Sequence, residues 1–281
     1  MELWIPITIG AAIAQTFRFM LQKHLRGMAL STAGATFARF VYSSPLVAVI
    51  AILYATGTGQ GRPDLPTTFW PYAFAGGASQ ILATMCVVAL FSRRNFAVGI
   101  TFKKTEVLLS AFFGFLILGD RFTTFTIMAM LIGLVGVLLL SDAPDGIGPW
   151  HKRIFSRATA LGLGAGVLFG ISGNGYRGAS LSLGDGDVFY RAIVTLAIVT
   201  AFQTVAMAFW LAWRERGEIT RVLASWRVAG LVGFTSMIGS ICWFTAITLQ
   251  NAAYVNAVGQ IELLFSLMIG AFVFGEKIGK R

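Results

Sequence analysis

Residues 95–120 read NFAVGITFKKTEVLLSAFFGFLILGD, and residues 251–276 read NAAYVNAVGQIELLFSLMIGAFVFGE. At a constant spacing of 156 residues they match Asn95 with Asn251, Glu106 with Glu262, Ser110 with Ser266, Gly114 with Gly270, Gly119 with Gly275 and Asp120 with Glu276. Each carries a carboxylate eleven residues into an apolar segment. That depth is about 16 Å at helical rise, close to the middle of a bilayer about 30 Å thick. An acid held there is costly, and its duplication suggests a transporter built from a repeat.

Composition agrees. Hydrophobic residues make up 56% of the 281-residue chain and charged residues only 12%, with a mean hydropathy of +0.75. A soluble domain carries about a quarter charged residues, so the chain reads as an all-α polytopic membrane bundle. The net charge of +10 falls in short clusters between apolar runs, which points to membrane topology and away from nucleic acid. Cys86 and Cys242 share the 156-residue spacing and lie inside apolar segments. They therefore read as matching places in two repeats rather than a disulfide, and neither a metal-ligand spacing nor a cofactor motif is present. Residues 3–22 lack the basic flank and small-residue cleavage site of a signal peptide.

Hydropathy windows predict nine helical spans, at 3–22, 31–54, 69–91, 96–118, 122–140, 159–178, 188–213, 228–249 and 253–274. Helices are the only spanning form such runs support. The longest connection, with Pro144, Gly146 and Pro149, divides the chain into a first five-helix repeat (1–141), a linker (142–157) and a second repeat (158–281). Five spans before the linker make the second repeat enter from the opposite side, so the repeat is inverted. The same order of matches continues at Trp70 with Trp226 and Ala73 with Ala229, and with small shifts at Phe37-Ala38-Arg39 with Phe189-Tyr190-Arg191. Symmetry calls for a tenth helix after Glu276, where the sequence given supplies only residues 277–281.

Lys and Arg set the expected orientation. Connections after odd spans hold Lys23, Arg26, Arg93, Arg94, Lys152, Arg153, Arg157, Arg214, Arg216, Arg221, Arg227, Lys277, Lys280 and Arg281, whereas Arg62 and Arg121 follow even spans. The basic side is cytoplasmic by the positive-inside rule. This places the N-terminus outside a plasma membrane, as in a bacterial inner membrane.

Gly119-Asp120-Arg121 and Gly275-Glu276-Lys277 end the fourth and ninth helices of this inverted plan in the same way. In this the chain resembles the drug/metabolite transporter superfamily, in its ten-helix EamA-like carrier branch. The resemblance covers nearly the whole chain. It implies a secondary carrier moving metabolites, amino acids or drugs, often outward, through a central cavity lined by helices including the fourth and ninth. Two features depart from that pattern: the absent tenth helix and the charged run Lys103-Lys104-Thr105-Glu106.

Lys103, Glu106 and Ser110 stand at i, i+3 and i+7, one face of a helix, with Lys104 about 100° around it. In the ninth span Gly259 and Gln260 replace the lysines, and Asn256 adds an amide. Lys103 and Lys104 are candidates for a substrate carboxylate or phosphate, though Lys104 could instead snorkel or pair with Glu262. Glu106 reads either as a structural ion pair with Lys103 or as a cavity acid that exchanges partners. Glu262, with no lysine one turn away on its own helix, is the stronger proton-coupling candidate, with Glu106 second; its bland reading is a hydrogen bond to neighbouring helices. Asn256, Gln260, Gln15 and Asn174 are candidate polar lining, with interhelix hydrogen bonds as the alternative. Arg39 is a gate salt bridge, with Glu106 a candidate partner, or a cavity contact; Arg18 and Arg177 read as snorkelling. Mid-span Trp243 could stack on a substrate or pack against lipid. The glycines of the sixth span, 162–178, allow close helix approach and a flexible or bent helix.

A membrane enzyme is disfavoured, because His24 and His151 lie in loops and no nucleophile–base group falls within the spans. A scaffold or receptor gains little from mid-depth acids, and no ring of like groups marks a channel. The expected function is a secondary active transporter of a small polar metabolite, such as an amino acid, organic anion or drug-like molecule. It would work by alternating access as a proton-coupled exporter, monomeric or homodimeric, with lipid, protons and the substrate as its partners. That mechanism needs both acids to face one aqueous void.

Overall fold

The computed structural model describes residues 2–28, 30–91, 103, 105–140, 157–184 and 186–272. Lys104 and Asp185 lie outside the described residues. The described chain is helical, with no strand among these residues. In order, α1 is Trp4–Gly27, α2 Thr32–Gly57, α3 Phe69–Phe91 and α4 Glu106–Phe113, which widens into a π turn over Gly114–Leu118. Then follow α5 (Thr124–Leu140), α6 (Arg157–Ser182), α7 (Val188–Arg214), α8 (Glu218–Ala224), α9 (Trp226–Leu249), α10 (Ala252–Gly259) and α11 (Glu262–Phe272). Five of these, α1, α2, α3, α7 and α9, are long and apolar enough to cross a membrane.

Packing follows the repeat. α3 lies along α6, and α1 lies along α9; each pair joins one helix from either half. α4 packs on α6, and α10 and α11 pack on α1, while α2 and α7 meet each other. Exchanging the two halves maps this pattern onto itself, the expected signature of a two-repeat architecture. Close approach of α3 to α6 depends on Gly175. A Cβ there would stand 2.9 Å from the Tyr72 carbonyl oxygen and 3.0 Å from the Gly76 Cα, and backbone cannot yield. Gly166 and Gly170 do the same for α4. Gly166, Gly170 and Gly175 therefore serve close packing, and α6 runs without interruption from Arg157 to Ser182.

Two departures from the expected spans bear on function. The ninth span is not one helix: α10 stops at Gly259, Gln260 and Ile261 form a turn, and α11 restarts at Glu262. The fourth shows the equivalent feature, with Thr105 in a turn directly before Glu106. Both acids thus stand at the start of a helix, where the macrodipole favours negative charge. Apolar patterning cannot reveal a one-turn interruption, because every residue still faces the same surroundings on average.

The shared Gly-Asp motif also has a local role. Gly119 takes a left-handed conformation (φ 69°) and ends the π turn, and the Asp120 N–H bonds back to the Gly114 carbonyl at 3.1 Å. Burial pushes the Asp120 carboxyl above its ordinary range, against the opposing pull of the Arg177 charge.

The second departure is α8, which lies within the charged connection 214–227. It turns the fully buried Glu218 onto the start of α2. There the carboxylate accepts from the Ser31 N–H at 2.5 Å and pairs with Arg221 at 2.6 Å. At the far end of α2 the partnership reverses. Asp187 caps α7 by accepting from the Tyr190 N–H at 2.9 Å, and also accepts from Tyr54 Oη at 2.9 Å and Gln60 Nε2 at 3.1 Å.

Candidate functional site

Charge gathers where the halves meet. The Lys103 ammonium lies 3.4 Å from Glu106 Oε2 and 3.4 Å from Glu262 Oε2. It is flanked by the rings of Phe169 and Phe19, with centroids 4.9 and 5.6 Å away. Glu262 is fully buried, and its Oε2 also accepts from Gln15 Nε2 at 3.1 Å. Gln15 Oε1 in turn accepts from Arg18 at 3.2 Å, and Arg18 donates to Gln22 at 2.8 Å. A relay therefore runs Arg18–Gln15–Glu262–Lys103–Glu106 across both repeats. It also corrects one expectation: Arg18 is buried (2% exposed) and does not snorkel. The lysine that Glu262 lacks on its own helix is supplied by the opposite repeat.

Arg39 is different. Only 4% exposed, it donates from Nε to Ser236 Oγ at 3.0 Å, from Nη1 to Thr84 Oγ1 at 3.0 Å, and from Nη2 to Ser240 Oγ at 3.5 Å. Its partners are hydroxyls from α3 and α9, and among the described residues no carboxylate pairs with it.

These groups border a central cavity of about 50 Å³, lined by Gln15, Arg39, Lys103, Glu106, Trp243 and Asn256 together with Gln80, Phe169, Ser172, Tyr176, Ser240 and Phe244. That is room for a few waters and well short of the roughly 300–1,000 Å³ of a small-molecule site, so the described state is compact. A second void of about 10 Å³ lies among Lys103, Glu106, Trp243, Asn256 and Glu262. It is near the size of one water. Glu106 thus borders both spaces, whereas Glu262 meets only the smaller. The indole of Trp243 lies so close to Gly259 that a side chain there would strike it, and its Nε1 is buried with no hydrogen-bond partner among the described residues.

Six of the residues singled out from sequence come together here: Gln15, Arg39, Lys103, Glu106, Trp243 and Asn256 line the cavity, with Glu262 just behind. Asn174 and Gln260 do not. Asn174 is fully buried and donates to the Ser110 and Gly170 carbonyls, both at 2.9 Å, which ties α4 to α6. Gln260 faces a groove beside α5 with Tyr254, Ala257 and Met130. Lys104 lies outside the described residues.

Sequence reasoning missed a polar cluster at the cavity wall. Tyr176 Oη donates to Gln80 Oε1 at 2.9 Å, Gln203 Nε2 donates to the same oxygen at 2.9 Å, and the Tyr176 ring stacks on Phe244 at 4.4 Å. The available signal was two glutamines, Gln80 and Gln203, inside otherwise apolar spans. The hydroxyls around Arg39 gave none, because Ser and Thr are common in membrane helices.

The model of the EamA-like transporter family matches residues 2–142 and again residues 157–281, one match per repeat. Among curated proteins none matches the chain. One solved structure, described as "Crystal structure of protein", aligns over 96% of this chain and 91% of its own, with 15% identity and a TM-score of 0.57; that likeness concerns fold alone. With its repeat matched in both halves, the chain belongs to the EamA-like transporter family, whose members are multi-pass membrane transporters of small molecules.

Proposed function

We propose that the chain is a secondary carrier that moves a small polar metabolite outward across a plasma membrane by alternating access. The observation that supports this most is the charged cavity, bordered by residues of α1, α2, α3, α4, α6, α9 and α10 and therefore by both repeats. Broken helices opening on a carboxylate in each half are a recurrent way to build a carrier site at mid-membrane. Proton coupling, in this reading, belongs to the pair Glu106 and Glu262 acting on the one ammonium of Lys103, rather than to Glu262 alone. In the same reading the N-terminus is outside, a choice that the basic loops after the odd spans favour.

The test is flux. Purified protein is reconstituted into liposomes loaded with a mixture of amino acids and organic acids. Solutes released under an imposed pH gradient are then identified by mass spectrometry. The reading expects one or a few solutes to leave faster than from protein-free liposomes, and Glu262→Gln to abolish the gradient-driven rate while keeping counterflow. Equal release with and without protein sinks the carrier. Normal gradient-driven release in the variant removes the proton role.

A further inference from the structure

Three cations, Arg18, Arg39 and Lys103, stand at the described core against two carboxylates, Glu106 and Glu262. Lys103 is engaged by both acids, and Arg18 reaches Glu262 through Gln15. Arg39 is the one of the three that no described carboxylate pairs with, directly or through a bridging amide. A guanidinium inside a membrane protein without a counter-ion is costly, and neutral hydroxyls orient it without neutralising it. Of its five N–H groups, three are held by Ser236, Thr84 and Ser240. Two remain, one on each terminal nitrogen, and the residue borders the cavity. A carboxylate is the anion that a fork of this kind takes up with two parallel hydrogen bonds.

The rest of the wall narrows the body of the ligand. Phe169, Tyr176, Trp243 and Phe244 line the same space, with Tyr176 and Phe244 already stacked, their planes 28° apart. The unpartnered indole N–H of Trp243 offers one further donor to an acceptor on the ligand. We propose that Arg39 is the anion-binding pole of the transport site, and that its ligand is a monocarboxylate with a flat, apolar or aromatic body. This rests on the carrier reading above. One carboxylate matches the two N–H groups left on the Arg39 fork, oxygen for hydrogen. Entry requires the small cavity to widen, and Trp243, wedged against Gly259, is the side chain whose displacement would enlarge it on the acid side.

The experiment follows thermal melting of the purified 281-residue chain in detergent with benzoate, 4-hydroxybenzoate, benzamide or phenyl phosphate. The benzoates are expected to raise the melting temperature and benzamide to leave it unchanged. Arg39→Gln should weaken benzoate binding by about 30-fold or more, the lower end of the range for removing one partner of a buried, hydrogen-bonded charge pair. Arg39→Lys, which keeps the charge and loses the fork, should bind benzoate more weakly than the parent protein. Benzamide matching benzoate, no shift with either benzoate, or phenyl phosphate binding more tightly than both would overturn the proposal. The ligand comparison uses the unaltered protein, so it decides the matter even if the Arg39 variants do not fold. Benzoate binding without benzoate flux in liposomes would keep the pole and remove the carrier. Flux of another solute with no benzoate binding would keep the carrier and remove the pole.

Discussion

Replacing Lys103 by Met should destabilise the protein sharply, and Glu262→Gln should cancel much of that loss. The ammonium is 4% exposed and lies 3.4 Å from each carboxylate, whose side chains are 13% (Glu106) and 1% (Glu262) exposed. At an effective dielectric of about 20, each contact is worth about 5 kcal/mol before desolvation. Desolvation offsets much of that, and removing one partner of a buried pair costs about 3–5 kcal/mol, because the remaining charge is stranded. Lys103→Met takes the shared ammonium from two acids at once and belongs at the upper end of that range. Glu262→Gln alone leaves Lys103 paired with Glu106 and should cost about 1.5–3 kcal/mol, the range for hydrogen bonds to charged groups. The double variant deprives only one acid of that ammonium, so it should be more stable than the sum of the single losses predicts, by about 2 kcal/mol. Unfolding free energies of all four proteins, titrated in mixed micelles with a denaturing detergent, measure that coupling. Losses that add to within about 0.5 kcal/mol would show that the two side chains act independently, and the relay would then have no energetic reality.

Gly175→Ala should lower stability by about 1–3 kcal/mol through overpacking of α3 on α6, since the new methyl meets backbone at 2.9–3.0 Å. Gly164→Ala on the same helix, with nothing within 4 Å, should be neutral or stabilising, and equal thermal shifts for the two would remove the packing argument. Glu218→Ala should leave the Ser31 N–H without its partner at a cost of about 1–3 kcal/mol and speed tryptic cleavage at Arg214, Arg216, Arg221 and Arg227. An unchanged cleavage rate would mean that α8 does not latch the start of α2.

Much of the architecture was legible because a membrane enforces simple rules. Nine apolar runs, the position of the linker and the repeat spacing through Glu106 and Glu262 follow from hydropathy and self-comparison; the helical bundle and the family match in both halves bear out the all-helical, two-repeat plan. What escaped was local or three-dimensional. The turn at Gln260–Ile261 occupies two residues and leaves the apolar pattern intact. Glu218 looked like one more charge in a basic loop, although its i, i+3 spacing to Arg221 after a left-handed Gly217 (φ 85°) marks a short helix in retrospect. Arg18 looked shallow enough to reach the headgroups, because helical depth gives distance along the axis but not which face points inward. Lys103 was visible as a neighbour of Glu106 on one helix. Its reach to Glu262 depended on how closely two helices from different halves approach, and no spacing along one chain contains that distance.

The interleaving of the halves decides which contacts a rocking motion would strain. α3, α4 and α6 form one group, and α1, α9, α10 and α11 another, so each group mixes helices of both repeats and the seam does not follow the sequence boundary. Lys103 and Glu106 ride on the same side of that seam, as do Gln15 and Glu262. The Lys103–Glu262 bond crosses it. Parting the groups would therefore cost one electrostatic tie and spare the others. Arg39, gripped by Thr84 on one flank and by Ser236 and Ser240 on the other, would sit astride the widening gap like a hinge pin.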